Sequence, residues 1–306
     1  MKIFKGDLSM KRYKLIYNPS SGKEEAASRA FQMARLVMDR DDVEFTFYAT
    51  KRKNDAMNKA REACDDGYDM IISCGGDGTV HEVVNGIMKS KNRTNLAILP
   101  AGTINDFAEQ LKIPKTAEKF SRMFKEPKFK EVDAGKINDE HFINVVSGGI
   151  FTNIPHTVSI DEKTMFGRYA YYFHAFLEIP DQLVNTYEIK FTVDDKVYEV
   201  DTHLFLINNT PGAGGFKYLC PDAKFDDGLL DIVIFEKSSY TDLIQIFTGV
   251  FNGQHVKHPK VKYLQANNIL IESLDKKLVV DVDGELGGNM PLKISTETKA
   301  LKILVP

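Results

Sequence analysis

The sequence is poor in cysteine. It has three in 306 residues, Cys64, Cys74 and Cys220, and no CxxC pair. Thiols this few and this widely spaced exclude a disulfide framework and give no support to a zinc site. We therefore predict that all three are reduced and buried, as free cysteines usually are.

The sequence also lacks long apolar runs and any large excess of one charge. No stretch reaches about 18 apolar residues, the length of a membrane-spanning helix, and the start of the chain lacks the apolar core of a signal peptide. The 40 Lys and Arg residues against 43 Asp and Glu give a net charge of −3, so charge provides no general attraction to nucleic acid. These absences predict a cytoplasmic protein that binds no nucleic acid and contacts membrane only peripherally and reversibly.

The sequence shows two different patterns of apolar residues along its length, and the length of the chain favours two domains. From Tyr13 to about Glu126, short apolar runs alternate with helical patterns, which predicts βαβ units, a parallel sheet and a ligand site at its carboxyl edge. After about Lys128, alternating runs such as YEIKFTVDDKVYEVD predict antiparallel strands, that one with a hairpin turn at Asp194 and Asp195. The predicted helices are 23–39, 54–66, 79–89 and 104–111, and near 166–178 and 239–251.

The stretch CGGDGTVHEVVNGI, residues 74–87, places glycines at a predicted strand-to-helix turn. We expect Gly75, Gly76 and Gly78 to adopt backbone angles closed to other residues and to let a ligand approach the main chain. The helix start that follows suits a phosphate group, and Asp77 beside it requires a cation such as Mg²⁺. The pattern predicts a nucleotide bound with magnesium; the alternative is a glycine-rich turn with Asp77 as the helix N-cap. Neither the P-loop sequence nor the GxGxxG spacing is present.

This stretch resembles the signature of the diacylglycerol kinase catalytic family, which is related more distantly to the NAD kinases. Five further stretches occur in the order typical of the family, and the resemblance covers nearly the whole chain, most closely that of the soluble bacterial diacylglycerol kinases. They are IYNPSSG (16–22), LPAGTINDFA (99–108), VDAGKINDEHFINVVSGG (132–149), PDAKFDDGLLDIVI (221–234) and VDGE (282–285).

The resemblance implies an α/β fold combined with an all-β domain. Residues 1–130 would form a doubly wound α/β ATP-binding domain, to which residues 292–306 return. Residues 131–291 would form an antiparallel β-sandwich that takes the lipid substrate, with the active site in the cleft between the domains. The resemblance also implies contacts to ATP from Asn18, Ser20, Ser21, Gly22, Thr50, Gly76, Asp77, Gly78, Thr79, Glu82 and Thr103. For Asn18, Ser20 and Thr103, the alternative is a role in turns and caps.

The reaction that the resemblance implies is phosphoryl transfer from ATP to a lipid hydroxyl, with Mg²⁺ neutralising charge. Glu285 is the candidate proton acceptor, with Asp283 as an alternative base or magnesium partner and Asp77 as a further catalytic residue. A plain hairpin turn is the alternative for residues 283–285.

A second, structural magnesium ion is implied in the stretch AKFDDGLL. Its ligands would be the carbonyls of Lys224 and Leu229 and the side chain of Asp227, with Asp133 joined through water; an ordinary turn at 226–228 is the alternative. His255 and His258 have no third ligand nearby in the sequence, and we predict that both are surface residues.

The acceptor that the resemblance favours is diacylglycerol, which would be converted to phosphatidic acid for phospholipid biosynthesis. Phosphatidylglycerol, a polyprenol, a sphingoid base and NAD remain alternatives, as does a non-catalytic nucleotide or lipid sensor. The aromatic-rich segment 165–180, which includes Arg168, could line an acyl channel, contact a membrane or cover the sandwich core. The oligomeric state stays open, a homodimer included.

Overall fold

The computed structural model describes residues 10–22, 25–38, 42–150, 185–273 and 278–306. The helix predicted near 166–178 and the aromatic segment 165–180 lie outside these residues. The chain divides into two compact units. The first contains the described residues up to Ala134, then Glu140–Ile143 and Glu297–Pro306; the second contains Gly135–Asp139 and the described residues from Asn144 to Thr296.

The first unit begins with alternating strands and helices, as the apolar pattern predicts. Its elements are β1 (Lys11–Tyr17), α1 (Glu25–Met38), β2 (Val43–Ala49), α2 (Asp55–Asp65), β3 (Met70–Gly75), α3 (Asp77–Lys89), β4 (Asn95–Pro100), α4 (Asp106–Gln110) and α5 (Ala117–Arg122).

The strands of the first unit form a parallel sheet in the order β2–β1–β3–β4. The strand β15 (Leu292–Val305) ends the chain, and its Ile303 pairs in parallel with Leu96 of β4. Strand β3 is buried along its whole length, as expected of a central strand in a sheet covered on both faces. The parallel order brings the carboxyl ends of β1, β3 and β4 to one edge.

The remaining strands are mostly antiparallel. They are β5 (Lys128–Ile137), β6 (Glu140–Phe142), β7 (Val145–Gly149), β8 (Tyr187–Val193), β9 (Lys196–Asn208), β10 (Leu230–Glu236), β11 (Val261–Ala266), β12 (Asn268–Ser273), β13 (Val280–Val282) and β14 (Glu285–Leu286). The predicted hairpin at Asp194 is confirmed, since Val193 of β8 pairs with Lys196 of β9.

The long strand β9 connects two groups of strands in the second unit. Its first part pairs with β8, which continues to β12 and to the start of β15. Its second part lies between β7 and β10, and β10 also pairs with β11. Helix α6 (Tyr240–Val250), predicted near 239–251, begins with a capping box formed by Ser239 and Asp242.

The structure confirms the prediction for cysteine and corrects one for histidine. The three thiols are free and buried, and burial raises the pKa of Cys64 to about 11 and that of Cys74 to about 12. His255 was predicted at the surface, but it is 1% exposed, stacks on Phe235 and bonds through Nε2 to the Leu219 carbonyl at 3.0 Å.

His258 was also predicted at the surface. Its ring is partly exposed and lies 3.7 Å from the Asp242 carboxylate.

In the parts of the chain that the structure describes, no helix is long and apolar enough to cross a membrane.

Candidate functional site

Three turns of the first unit lie against one another at the carboxyl edge of the parallel sheet. The Asn18 N–H donates to the Cys74 carbonyl at 3.0 Å, and the Ala101 N–H donates to the Gly75 carbonyl at 2.9 Å. Gly22 has a φ of +60° and lies so close to the Ala101 carbonyl that an added Cβ would overlap with it. The stretches NPSSG, GGDGT and AGT, predicted to share one nucleotide, are therefore neighbours.

The glycine-rich turn connects β3 to α3, with Gly76 as the N-cap of the helix. The alternative in which Asp77 is the N-cap is wrong, because Asp77 is the first helical residue. The expectation of unusual backbone angles is also wrong: Gly76 has φ −89° and ψ −172°, and neither Gly75 nor Gly78 has a positive φ. These angles are open to other residues, so Gly75 and Gly76 must be needed for another reason.

That reason is close packing between the turns. A Cβ added to Gly102 would overlap with the Cα of Gly76 and lie 3.0 Å from Asn105 Oδ1, and one added to Gly76 would lie 3.3 Å from the Cα of Gly102. A Cβ on Gly75 would overlap with the Thr79 side chain. The two backbones are in direct contact, which only glycine permits at this separation.

Asp77 and Asn105 connect these two turns. The Asn105 N–H donates to Asp77 Oδ2 at 2.9 Å, while the Asn105 side chain accepts from the Gly102 N–H at 2.8 Å and donates to the Gly102 carbonyl at 2.7 Å. Asn105 is buried and left-handed, with φ 58°, a conformation that Asn tolerates better than most residues. The sequence reasoning missed Asn105 and Gly102, although both lie inside the motif LPAGTINDFA.

The other predicted nucleotide contacts lie around this edge. The Thr50 N–H donates to the Tyr17 carbonyl at 2.9 Å, and the Ser20 N–H donates to Asn18 Oδ1 at 3.0 Å. Thr79 is buried in the first turn of α3, and Thr103 is exposed in the turn after β4. The structure places these residues near the same edge of the sheet, and their contacts to ATP stay predictions.

Glu82 has a structural role that the sequence did not reveal. Its two carboxylate oxygens accept from the Asn54 N–H at 2.8 Å and the Ala56 N–H at 3.0 Å, at the start of α2. A carboxylate at a helix N-terminus is stabilised by the unpaired N–H groups there. In the structure, Glu82 therefore holds α2 to α3.

The predicted base residues belong to the second unit, in a tight hairpin between β13 and β14. Val282 pairs with Glu285, and the two residues between them have positive φ, 51° for Asp283 and 90° for Gly284, as a two-residue turn requires. Asp283 Oδ1 accepts from the Asn144 and Val145 N–H groups, both at 2.9 Å. Asp283 is thus tied to the backbone, whereas Glu285 is half-buried at the start of β14.

The loop predicted to hold a structural cation leads from Cys220 to β10. Asp227 is exposed and its Oδ1 accepts from the Leu229 N–H at 3.1 Å, while Lys224 is also exposed. Among the described residues, no group of three or more His, Cys, Asp or Glu side chains is arranged to hold a metal ion. A site here must therefore use backbone carbonyls, as the predicted ligand set does.

Asp133, predicted to join the cation through water, belongs to the first unit. It is 1% exposed, and its Oδ1 accepts from the Lys299 N–H of β15 at 2.7 Å. One of its oxygens therefore helps to hold the last strand, and its proposed part in a cation network stays a prediction.

Asp231, two residues after Leu229, was overlooked in the sequence because it lies within the apolar strand LLDIVIF. It is fully buried, and Oδ1 accepts from the Tyr263 hydroxyl and from Gln265 Nε2, the latter at 2.9 Å. Burial, which outweighs these hydrogen bonds, and the nearby charges of Asp227 and Asp222 raise its pKa to about 6. Oδ2 receives no hydrogen bond from the residues that the structure describes.

Two family models match successive parts of the chain. Residues 12–137 match the family model described as the diacylglycerol kinase catalytic domain, and residues 144–305 match the model described as the YegS C-terminal NAD kinase beta sandwich-like domain. The second match supports a β-sandwich in the C-terminal part.

Curated and solved relatives cover nearly the full length. The chain is 36% identical over 296 residues to a diacylglycerol kinase of Staphylococcus saprophyticus, which covers 97% of this chain and 96% of the relative. It is 37% identical to a diacylglycerol kinase of Staphylococcus aureus, with 97% and 93% covered. The crystal structure of a diacylglycerol kinase from Bacillus anthracis matches with a TM-score of 0.79 and 28% identity, covering 97% of each chain.

Proposed function

The chain belongs to the diacylglycerol kinase catalytic family, and from this premise we propose that it is an ATP- and magnesium-dependent kinase that phosphorylates the hydroxyl of diacylglycerol to give phosphatidic acid. Membership makes the protein an enzyme and implies ATP as the phosphoryl donor. We propose the identity of the lipid acceptor, the dependence on Mg²⁺ and the roles of individual residues.

The observation that carries the proposal is the convergence of three turns at the carboxyl edge of the first unit's sheet. They bring together the start of α3 and the hydroxyl-bearing stretch NPSSG. Helix α3 has 13 residues, so its first N–H groups and partial positive charge favour a phosphate there. We assign the ATP-binding role to residues 1–130 together with 292–306, and the lipid-binding role to residues 131–291.

The donor sets fit Mg²⁺, since both candidate sites offer hard oxygen atoms of the kind this ion prefers. Asp77 would hold the ion that accompanies ATP; Lys224, Asp227 and Leu229 would hold the structural ion. When bound with ATP, Mg²⁺ supplies neutralisation of the charge on the phosphates.

The chain's own residues then position and deprotonate the acceptor. The lipid hydroxyl oxygen forms a bond to the γ-phosphorus of ATP, and the bond from that phosphorus to the β–γ bridging oxygen breaks, releasing ADP. We assign the hydroxyl proton to Glu285. Asp283 is less suited to take it, because its Oδ1 already accepts two backbone hydrogen bonds.

A second candidate is the same transfer to another lipid hydroxyl, on phosphatidylglycerol, a polyprenol or a sphingoid base. It is favoured by the match of residues 144–305 to a model whose description does not name diacylglycerol.

The experiment that tests the proposed function is transfer of labelled γ-phosphate from ATP to diacylglycerol in mixed micelles, with and without Mg²⁺. Labelled phosphatidic acid formed only with Mg²⁺ supports it, and its absence contradicts it.

A further inference from the structure

The hairpin between β13 and β14 contains three carboxylates in five residues, Asp281, Asp283 and Glu285. Asp281 and Asp283 are 5% and 8% exposed, whereas Glu285 is half-buried. A buried carboxylate loses its hydration and therefore needs hydrogen-bond donors from the protein. Asp281 and Asp283 each accept from backbone N–H groups, and they fix the two central residues of the turn in different ways.

Asp283, the first turn residue, attaches the hairpin to the start of β7. Its Oδ1 accepts from the N–H groups of Asn144 and Val145, both at 2.9 Å, and its own N–H donates to the Val145 carbonyl at 2.9 Å. This attachment point is itself held, because the Asn144 carbonyl accepts from the Asn209 N–H at 2.8 Å. The first half of the turn is thus fixed from outside the hairpin.

The second turn residue, Gly284, is fixed by Asp281. Gly284 is exposed, and a Cβ added to it would meet no heavy atom within 4 Å, so packing does not restrain it. The strand ladder pairs Val282 with Glu285, so the central peptide of the turn lies outside the ladder. The N–H of that peptide, which belongs to Gly284, donates to Asp281 Oδ1 at 2.8 Å. This hydrogen bond therefore sets the orientation of the central peptide.

Glu285 follows this peptide directly, so its position depends on the same hydrogen bond. Rotation of the central peptide would change the direction in which the chain leaves Gly284 and would displace the Glu285 carboxylate. A displacement of about 1 Å at a reacting group can lower a rate by about 10²-fold. The negative charge of Asp281 strengthens the bond that opposes this rotation.

We propose that Asp281 is a positioning residue, whose Oδ1 holds the Gly284 N–H and so keeps the Glu285 carboxylate where it accepts the proton of the lipid hydroxyl. The inference rests on the role of Glu285 in the proposed function. It gives a role in catalysis, exerted through Glu285, to a carboxylate that lies one residue before the motif VDGE. Asp281 itself does not touch the substrate.

The test compares Asp281→Ala with Asp281→Asn in the assay of phosphate transfer to diacylglycerol. Asp281→Ala removes the acceptor, and we expect kcat to fall about 10–100-fold. The KM for ATP should stay within a few-fold of the parent's, because the predicted ATP contacts belong to the first unit. Asp281→Asn keeps an oxygen acceptor for the Gly284 N–H, so kcat should return to within a few-fold of the parent's.

Asp194→Ala is the matched control for the loss of a hydrogen bond in a turn. Asp194 also has a left-handed backbone, with φ 49°, and its Oδ1 accepts from the Asn268 N–H at 3.2 Å, but it lies in the hairpin between β8 and β9. We expect a small decrease in melting temperature and a parental kcat. If Asp281→Ala does not fold, Asp281→Ser keeps a polar group at the buried position and carries the same expectation.

A double variant separates an effect through Glu285 from a general loss of structure. If Asp281 acts through Glu285, Asp281→Ala should lower kcat little further in a protein that already carries Glu285→Gln, because two residues that act as one unit are not additive. Losses that multiply in the double variant would overturn the proposal. So would a parental kcat for folded Asp281→Ala, or a loss in Asp281→Asn as large as that in Asp281→Ala.

Failure of the inference and failure of the proposed function give different results. A parent that transfers phosphate to diacylglycerol and loses kcat on Glu285→Gln, but not on Asp281→Ala, contradicts the role of Asp281 alone. Parental turnover by Glu285→Gln contradicts the proton-acceptor assignment and the role of Asp281 with it. Absence of transfer by the parent contradicts the proposed function and both assignments.

Discussion

At the scale of single residues, Glu285 and Asp283 occupy one hairpin but have different surroundings. Asp283 Oδ1 accepts two backbone hydrogen bonds, from Asn144 and Val145, and its left-handed backbone forms the turn. Glu285 begins β14 and is half-buried. The hydrogen bonds of Asp283 therefore assign it a part in shaping the turn, and the proton-acceptor role of Glu285 stays a prediction.

We predict that Glu285→Gln lowers kcat by about 10²–10⁴-fold, the usual contribution of a positioned base. Gln retains the size of Glu but cannot take the hydroxyl proton, so ATP affinity and melting temperature should stay near those of the parent. Steady-state kinetics and a thermal melt provide both readouts.

Asp283→Asn is the matched control, because it makes the same change two residues away. Its oxygen still accepts the two N–H groups but loses the charge that strengthens such bonds. We therefore expect Asp283→Asn to have a lower melting temperature than the parent, whereas Glu285→Gln loses kcat and keeps its melting temperature. Parental turnover by Glu285→Gln at saturating ATP and Mg²⁺ would remove the proton-acceptor role from Glu285.

At the scale of elements, the contact between the turns after β3 and β4 defines the candidate nucleotide site. Gly102→Ala would place a Cβ in overlap with the Gly76 backbone, so one of the two turns must shift. We expect a loss of about 1–3 kcal/mol of stability, as for other overpacked sites, together with weaker ATP binding. Urea denaturation and nucleotide titration measure the two effects.

Gly78→Ala is the comparison for stability. Gly78 is exposed in the first turn of α3, where Ala is favoured over Gly by about 1 kcal/mol of helix propensity. Its stability should equal or exceed that of the parent. If Gly102→Ala were as stable as Gly78→Ala, the close contact between the Gly76 and Gly102 backbones would not restrict the residue at position 102.

The first unit also contains an ionic contact that depends on pH. Glu297 of β15 bonds to His141 Nε2 at 3.1 Å and to Arg93 at 3.0 Å. Burial alone would raise the pKa of Glu297, but the hydrogen bond and charge of His141, with those of Arg93, lower it below its ordinary value of 4.5. A carboxyl whose pKa is lowered by folding stabilises the folded state above the unfolded pKa, and this contribution disappears as pH falls.

We therefore predict that Glu297→Gln is less stable than the parent at neutral pH and that the difference disappears as pH falls below about 4.5. Denaturant unfolding at a series of pH values measures it. Glu62→Gln, which removes an exposed partner of Lys59, should change stability little at any pH. A difference for Glu297→Gln that is constant over pH would contradict the assignment.

The sequence predicted the elements that local pattern determines. The apolar run before GGDGT became β3 and the helical spacing after it became α3, which begins at Asp77 rather than at the predicted residue 79. Helix α5 was missed because six residues give too little periodicity to detect. The burial of His255 and the contact of Gly76 with Gly102 depend on residues far apart in the chain, which pattern alone does not bring together.

At the scale of the whole molecule, the chain divides into two compact units, and each carries its own part of the proposed chemistry. The first unit carries the three glycine turns, and the second carries Glu285 and the loop 224–229. The relatives match over 97% of this chain, so the same division of parts is expected of them. No motif in the sequence determines which lipid hydroxyl would be the acceptor.

The central claim is that this chain transfers phosphate from ATP to diacylglycerol, and a competition assay tests it most directly. Diacylglycerol, phosphatidylglycerol, a polyprenol and a sphingoid base are presented together in mixed micelles with labelled ATP and Mg²⁺, and the lipid products are separated. The account predicts that the label appears predominantly in phosphatidic acid. Label in another lipid with none in phosphatidic acid, or no transfer to any lipid, would contradict it.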